Sequence, residues 1–298
     1  MEIRRVAVIG SGQMGTGMAQ VAARAGLDTI LMKMTDGPVD AGKQKIKKAL
    51  QREVEKQRLT AEELDATLER LSCTNKIHDL GECDLVIESV IEDLGEKQRL
   101  FERLEDVVQE SGIFATNTST LSVTALAEAT KRPTRVIGLH FFNPAPLMKL
   151  VEIVPTLRTD PEVLKAAQEF TANVKKTGVM VRDFTGFVVN RLLTPYMVDA
   201  MRTVQEGLAS IGAIDAAMQL GANHPMGPLA LADFIGLDIV FHMASNLFEE
   251  YREARHTPPP ILRRLVLAGY LGRKSGKGFY DYSTTPPTPN DFLVSSLG

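Results

Sequence analysis

The sequence predicts an α/β fold: a Rossmann-type, mostly parallel sheet domain with one antiparallel strand pair, followed by an all-helical C-terminal domain. Three observations carry this. An apolar run, Arg5 to Ile9, passes at once into Gly10-Ser11-Gly12-Gln13-Met14-Gly15 and an alanine-rich helix. Short apolar strands then alternate with amphipathic helices as far as Asp183. From Gly186 onward only helical periodicity remains. The expected organisation is a dinucleotide-binding domain over 1–185, a helical domain over 186–282 and a mobile tail rich in Pro, Thr and Ser over 283–298, without internal repeats.

In the opening motif, Gly10 would make the tight turn and Gly12 would let backbone approach a pyrophosphate. Gly15 would let the helix pack close to the strand. The amides and positive dipole end of that helix, with Gln13 and Met14 in its first turn, would face the phosphates. The second strand, Asp28 to Lys33, brings Lys33 to the position that meets the adenosine ribose in such folds. An acidic residue there accepts from the ribose hydroxyls, whereas a cation suits a 2′-phosphate. Two readings stand: Lys33 takes a 2′-phosphate, or it is a solvated strand-end residue and Asp36 or backbone meets the ribose. The expected cofactor is therefore NAD or NADP.

Residues 39–71 read as a helical hairpin, with Ile46, Leu50 and Val54 on one stripe and Leu64, Leu68 and Leu71 on another. Thr60-Ala61-Glu62-Glu63 between them has the form of a capping box. Lys43, Lys47, Lys48 and Lys56 form either a solvated face or a rim for an anionic ligand. Strands follow at 84–88 and 113–117, with a helix starting near Leu94 between them. The second runs into Thr118-Ser119-Thr120 at the carboxyl edge of the sheet, where ligands of open α/β folds sit. Ser119 is either a site residue or the cap of a helix over 122–129.

Two apolar strands, Val136–Asn143 and Met148–Val154, flank a Pro-rich loop and suggest the antiparallel pair. A loop centred on Ala145 sets His140 opposite Leu150, with Glu152 two residues along the same face, a diagonal of ~7–8 Å. An unpaired buried carboxylate is expensive, so this His and Glu together point to chemistry rather than to a core histidine. A helix over 161–174 and a strand over 179–182 complete the domain. The later helices are expected at 187–206, 213–220, 229–254 and 258–268. Phe187, Val188, Leu192, Leu193, Met197 and Met201 would leave apolar faces that favour dimerisation.

A net charge of −3 argues against a broad nucleic-acid-binding surface. No apolar stretch approaches the ~20 residues of a membrane span, and nothing resembles a signal peptide. Cys73 and Cys83 lack metal-ligand spacing, so no metal site is expected and a reducing, cytoplasmic setting is the simplest reading.

Six blocks, GSGQMG (10–15), NTST (117–120), LHFFNPAPLMKLVEI (139–153), GFVVNRLL (186–193), HPMGPLALADFIGLD (224–238) and GRKSGKGFYDY (272–282), resemble the short-chain L-3-hydroxyacyl-CoA dehydrogenases, which include bacterial 3-hydroxybutyryl-CoA dehydrogenases. The resemblance implies reversible hydride transfer between a 3-hydroxyacyl thioester and a nicotinamide cofactor, in a homodimer built through the helical domain. It implies His140 as proton acceptor and Glu152 as its partner, with Ser119, Asn143 and Asn190 on the substrate. It further implies Glu92, Lys97 and Asn117 on the cofactor side and Lys56 on CoA. An imidazole suits the task because its unperturbed pKa of ~6.5 serves both directions near neutrality. Two positions depart from the family: Lys33 replaces an Asp and Ala49 a Ser. They leave open an acyl-carrier-protein substrate in place of acyl-CoA. Hydroxyisobutyrate- or phosphogluconate-type dehydrogenases share the opening motif but use a Lys where this chain has Asn190. A reading of another class is a non-catalytic dinucleotide-binding structural or sensor protein.

Overall fold

Val6 to Ile9 are shielded on both faces of their strand, and this double burial puts β1 (Arg5–Ile9) in the middle of a sheet rather than at its edge. The computed structural model describes residues 1–35 and 37–290, and its chain divides into a first unit, Met1–Phe184, and a second beginning at Thr185. In the first unit β1 is followed by α1 (Gln13–Arg24), β2 (Asp28–Met32), α2 (Ala41–Glu55), α3 (Ala61–Glu69) and β3 (Leu71–Thr74). Next come β4 (Leu85–Glu88), α4 (Leu94–Glu105), β5 (Ile113–Thr116) and α5 (Val123–Ala127). The unit closes with β6 (Val136–Phe141), β7 (Leu150–Pro155), α6 (Pro161–Asn173) and β8 (Thr177–Met180). The eight strands lie in the order β3-β2-β1-β4-β5-β6-β7-β8, parallel from β3 to β6, with β7 and β8 running the other way. The carboxyl ends of β1, β4, β5 and β6 thus open on one edge.

The hairpin over 41–69 forms as its stripes require: Ile46, Leu50 and Leu64 are buried, and Thr60 and Glu63 cap α3 reciprocally at 3.2 and 2.9 Å. Leu71, however, belongs to no helix. It starts β3, an edge strand paired in parallel with β2, because α3 ends at Glu69 and the four residues after Arg70 reach Thr29 to Met32. β8 likewise begins two residues before the expected 179–182. Lys175, at φ +58, turns the chain sharply after α6, and the Lys176 ammonium is held by the carbonyls of Ala145, Pro146 and Met148.

The second unit contains α7 (Val189–Gln205), α8 (Ile211–Gly221), α9 (Pro228–Ile235), α10 (Leu237–Tyr251) and α11 (Pro260–Leu267). The expected single helix over 229–254 is two, bent by 98° at Gly236, whose φ of +107 no ordinary helical residue adopts. Phe187, Met197 and Met201 do not leave an uncovered face; all three are buried, the two methionines in the unit's own core. Val188 and Leu192 do stay exposed. The expected tail from 283 is partly anchored: β10 (Thr288–Pro289) pairs with β9 (Tyr280–Asp281), and the Asn290 amide reaches the Phe279 carbonyl at 2.8 Å. Residues 291–298 of that segment, and Asp36, lie outside the described residues. Among the described residues, no single helix is long and apolar enough to cross a membrane.

Two buried carboxylates organise this unit. Asp215 accepts from the first amides of α9, Leu229 and Ala230, at 2.8 and 2.9 Å, and from the Tyr280 hydroxyl at 2.8 Å. Asp233 accepts from the amides of Phe279 and Tyr280 at 3.0 and 2.9 Å and from the Tyr282 hydroxyl. Burial pushes the Asp233 carboxyl up to about 6, although its amide and hydroxyl donors pull the other way. A carboxyl raised above its unfolded value binds its proton more tightly when folded. Stability should therefore fall as pH rises from about 4 to about 6 and level off above, by on the order of 2–3 kcal/mol for this group. In denaturant titrations from pH 4 to 7, the difference between wild type and Asp233→Asn should follow that course. A pH-independent difference would contradict it.

Candidate active site

The glycine turn is built by contact, and each glycine answers a different demand. Gly10 has φ +110, and a side chain there would start 2.3 Å from the Ser89 carbonyl oxygen. A methyl at Gly15 would lie 1.7 Å from the Gly10 carbonyl oxygen, so only glycine lets α1 close onto the turn. Gly12 is different: among the described residues, no atom beyond its own and its two chain neighbours lies within 4 Å of where its Cβ would stand. The fold itself does not need glycine there, whereas a phosphate seated on the first amides of α1 does. The chain therefore fits a dinucleotide at this edge. Gln13 and Met14 form the first turn of α1, Gln13 exposed and Met14 half-buried. Lys33 follows β2 directly, its amide on the Thr74 carbonyl, while the Gly10 amide bonds to the Met32 carbonyl. The position expected to meet the ribose thus adjoins the glycine turn.

His140 and Glu152 face each other directly across β6 and β7. The loop centres on Pro146 rather than Ala145, which moves the register by two residues from the diagonal expected. Because strand side chains alternate with period two, the slip keeps both on one face and brings them into full contact. His140 Nδ1 lies 2.7 Å from Glu152 Oε2, with the side chains 5% and 1% exposed. The Phe142 ring packs against the imidazole at 4.5 Å between centroids. A carboxylate on Nδ1 selects the tautomer that donates there and makes Nε2 the basic nitrogen. Removing one partner strands the other out of water, so the pair stands or falls together.

A second cluster occupies the ends of β4 and β5. Glu92 Oε1 accepts from the Thr118 hydroxyl at 2.6 Å and from the amides of Ser119 and Thr120 at 2.8 and 3.3 Å. Burial pushes the Glu92 carboxyl up, but the Lys97 ammonium and these donors outweigh it and hold it below the usual carboxylate range. Lys97 is not a surface contact for a cofactor: it is 1% exposed, with Nζ at 2.7 and 2.8 Å from the two oxygens of Glu88 and 3.3 Å from Glu92. Any effect it has on a ligand passes through those carboxylates. Asn117 directs its side-chain oxygen to the Phe141 amide at 2.8 Å, tying β5 to the strand that carries His140. Ser119 is half-buried and is not the cap of the next helix; Ser122 is, through the Ala125 amide.

The remaining expected site residues lie on other elements. Asn143 is exposed in the loop after β6, and Lys56 is exposed at the end of α2. Lys43 does not join a rim, because its ammonium binds the Leu71 carbonyl at 2.5 Å. Asn190 belongs to the second unit, half-buried in the first turn of α7. Sequence reading missed Glu88. Its signal was a carboxylate ending an otherwise apolar strand, with Lys97 one turn into the following helix.

Two family models match this chain: "3-hydroxyacyl-CoA dehydrogenase, NAD binding domain" over residues 5–184 and "3-hydroxyacyl-CoA dehydrogenase, C-terminal domain" over 186–282. A 3-hydroxybutyryl-CoA dehydrogenase of Bradyrhizobium diazoefficiens is 45% identical over 287 residues, covering 96% of this chain and 98% of its own. The crystal structure of Mycobacterium tuberculosis FadB2 superposes with a TM-score of 0.93 at 44% identity, over 95% of this chain and all of that one. That of (S)-3-hydroxybutyryl-CoA dehydrogenase PaaH1 from Ralstonia eutropha gives 0.91 at 40% identity, over the same shares.

The glycine geometry separates folding from ligand approach. Gly12→Ala should leave thermal stability nearly unchanged while weakening dinucleotide binding by about tenfold or more, since only the ligand is displaced. Gly15→Ala should destabilise the protein by about 3 kcal/mol or more through overlap with the turn. Calorimetric melting and titration of both variants check this, and equal losses of stability would contradict it.

Proposed function

The chain belongs to the 3-hydroxyacyl-CoA dehydrogenase family, and on that premise we propose the roles of its residues in the reaction. The protein is an oxidoreductase that interconverts 3-hydroxyacyl-CoA and 3-oxoacyl-CoA with a nicotinamide dinucleotide as redox partner. Four-carbon acyl chains are the substrates its relatives' names suggest. The observation that carries the mechanism is the buried contact of 2.7 Å between His140 and Glu152. When bound, the nicotinamide supplies the acceptor or donor of hydride.

In the oxidative direction, Nε2 of His140 takes the proton of the C3 hydroxyl, and in reduction it returns it. Glu152 holds the ring in the tautomer this requires and stabilises the imidazolium that results. Ser119 donates to the C3 oxygen as charge gathers there, supported by the Glu92 bond to its amide. The resemblance alone assigns Asn190 to the same oxygen, Asn143 to the thioester and Lys56 to CoA. Gly10 to Gly15 would hold the dinucleotide's phosphates, and Asn117 and Glu92 would stand on its nicotinamide side. Lys33 at the ribose position provides a counter-charge for a 2′-phosphate, and so favours NADP over NAD.

A homodimer forms through the second unit. Leu192, Leu220 and Leu267, each more than two-thirds exposed, support this reading. A cytoplasmic setting belongs to the same proposal, supported by the free thiols Cys73 and Cys83; burial pushes that of Cys83 up to about 12, where it is inert.

Nicotinamide absorbance with acetoacetyl-CoA, run with NADH and NADPH in parallel and with the carrier-protein thioester as a second arm, tests the function. Turnover on the CoA thioester is expected; turnover on the carrier-bound form alone would replace the substrate. His140→Ala should lower turnover by ~10²–10⁴-fold while dinucleotide binding persists, and near-normal turnover would eliminate it as the proton acceptor. Lys33→Asp should shift the NADH-to-NADPH ratio of kcat/KM by about tenfold towards NADH. An unchanged ratio makes Lys33 a bystander.

A further inference from the structure

The ion pair between Glu88 and Lys97 lies beneath the candidate site, and no role above uses it. Glu88 is fully buried at the last position of β4, and Lys97 is 1% exposed in α4. Both carboxylate oxygens accept from the one ammonium. Glu88 also takes the Thr116 hydroxyl from β5 and, at 3.2 Å, the Val90 amide from the chain leaving β4. The same ammonium reaches Glu92, and Glu92 accepts the Thr118 hydroxyl and the amides of Ser119 and Thr120, the last of them shared with the Thr118 hydroxyl oxygen at 3.4 Å. A single cation is thus shared between a carboxylate sealed in the sheet and one, 36% exposed, that fixes the turn over 118–120.

The sharing is asymmetric, and that has a consequence. Glu88 neutralises Lys97 at two short contacts, so the longer contact to Glu92 leaves the second carboxylate able to serve the amides above it. Without the charge of Glu88, the buried ammonium has one carboxylate left, and Glu92 is drawn down from the turn. From this geometry we infer that Glu88 is a positioning residue, which sets through Lys97 and Glu92 where the turn bearing Ser119 stands. The inference rests on the proposed role of Ser119 at the reacting oxygen, and misplacing such a donor by about 1 Å is expected to cost roughly ten- to a hundredfold in rate.

The test is Glu88→Gln, which keeps shape and removes charge, in the full chain. Amide hydrogen exchange, which needs no turnover, should show lost protection at Ser119 and Thr120 while Ile87 and Ala115 in the neighbouring strands stay protected. With acetoacetyl-CoA, kcat should fall by about tenfold or more. Glu88→Asp should recover part of the loss. In a Ser119→Ala background, Glu88→Gln should add little, because both act on one donor. Unchanged exchange at 119 and 120, or losses that multiply independently in the double variant, would overturn the inference and leave the pair a structural one. If Glu88→Gln does not fold, Glu88→Asp, which keeps the charge but shortens its reach to Lys97, should show the same pattern in milder form; its absence there overturns the inference equally. Wild-type turnover is measured alongside, so a wrong substrate is distinguished from a wrong role for Glu88.

Discussion

A carboxylate taken out of water must find a partner, and the carboxyl edge of this sheet is arranged around three that do. Glu152 finds His140 across the antiparallel pair, Glu88 finds Lys97, and Glu92 finds the amides of the 118–120 turn. Each partnership joins separate elements: β6 to β7, β4 to α4, and the chain after β4 to the chain after β5. The side chains proposed to make this edge reactive therefore also hold it in register. The second unit follows the same rule, with Asp215 and Asp233 buried on backbone amides and tyrosine hydroxyls.

The sheet supplies what those partnerships cannot. Parallel strands β1, β4, β5 and β6 end together, so a turn after β1, a loop after β5 and a histidine near the end of β6 are neighbours although more than a hundred residues of chain separate the first from the last. The glycine turn closes against Ser89 at the end of β4, the strand that carries Glu88. The glycine turn and the ion pair are consequently two faces of one strand end. Reversal of direction at β7 then brings Glu152 back to the same edge.

Much of this was legible in the sequence because it is local. The strand, turn and helix of 5–24, the capping box at Thr60 and the shared face of His140 and Glu152 follow from patterns a few residues long. Alternation with period two settles a face but not a register, which is why the pair opposed directly instead of on a diagonal. Leu71 continued the stripe of Leu64 and Leu68, and nothing local marked it as the start of a four-residue edge strand. The break at Gly236 was readable in principle, but the flanking apolar pattern ran through it. Glu88 and Lys97 were the hardest to see together. Their contact depends on where α4 returns over the sheet, and a polar residue ending an apolar strand has many ordinary uses.

The central claim is that Glu152 holds the His140 ring with its proton on Nδ1, making Nε2 the site of proton transfer. Nitrogen-15 spectroscopy of the neutral imidazole in the intact protein reads this directly. The account predicts a protonated, strongly hydrogen-bonded Nδ1 and an unprotonated Nε2, with the Nδ1 signal shifted in Glu152→Gln. A ring carrying its proton on Nε2, or one whose Nδ1 signal ignores that substitution, would contradict it.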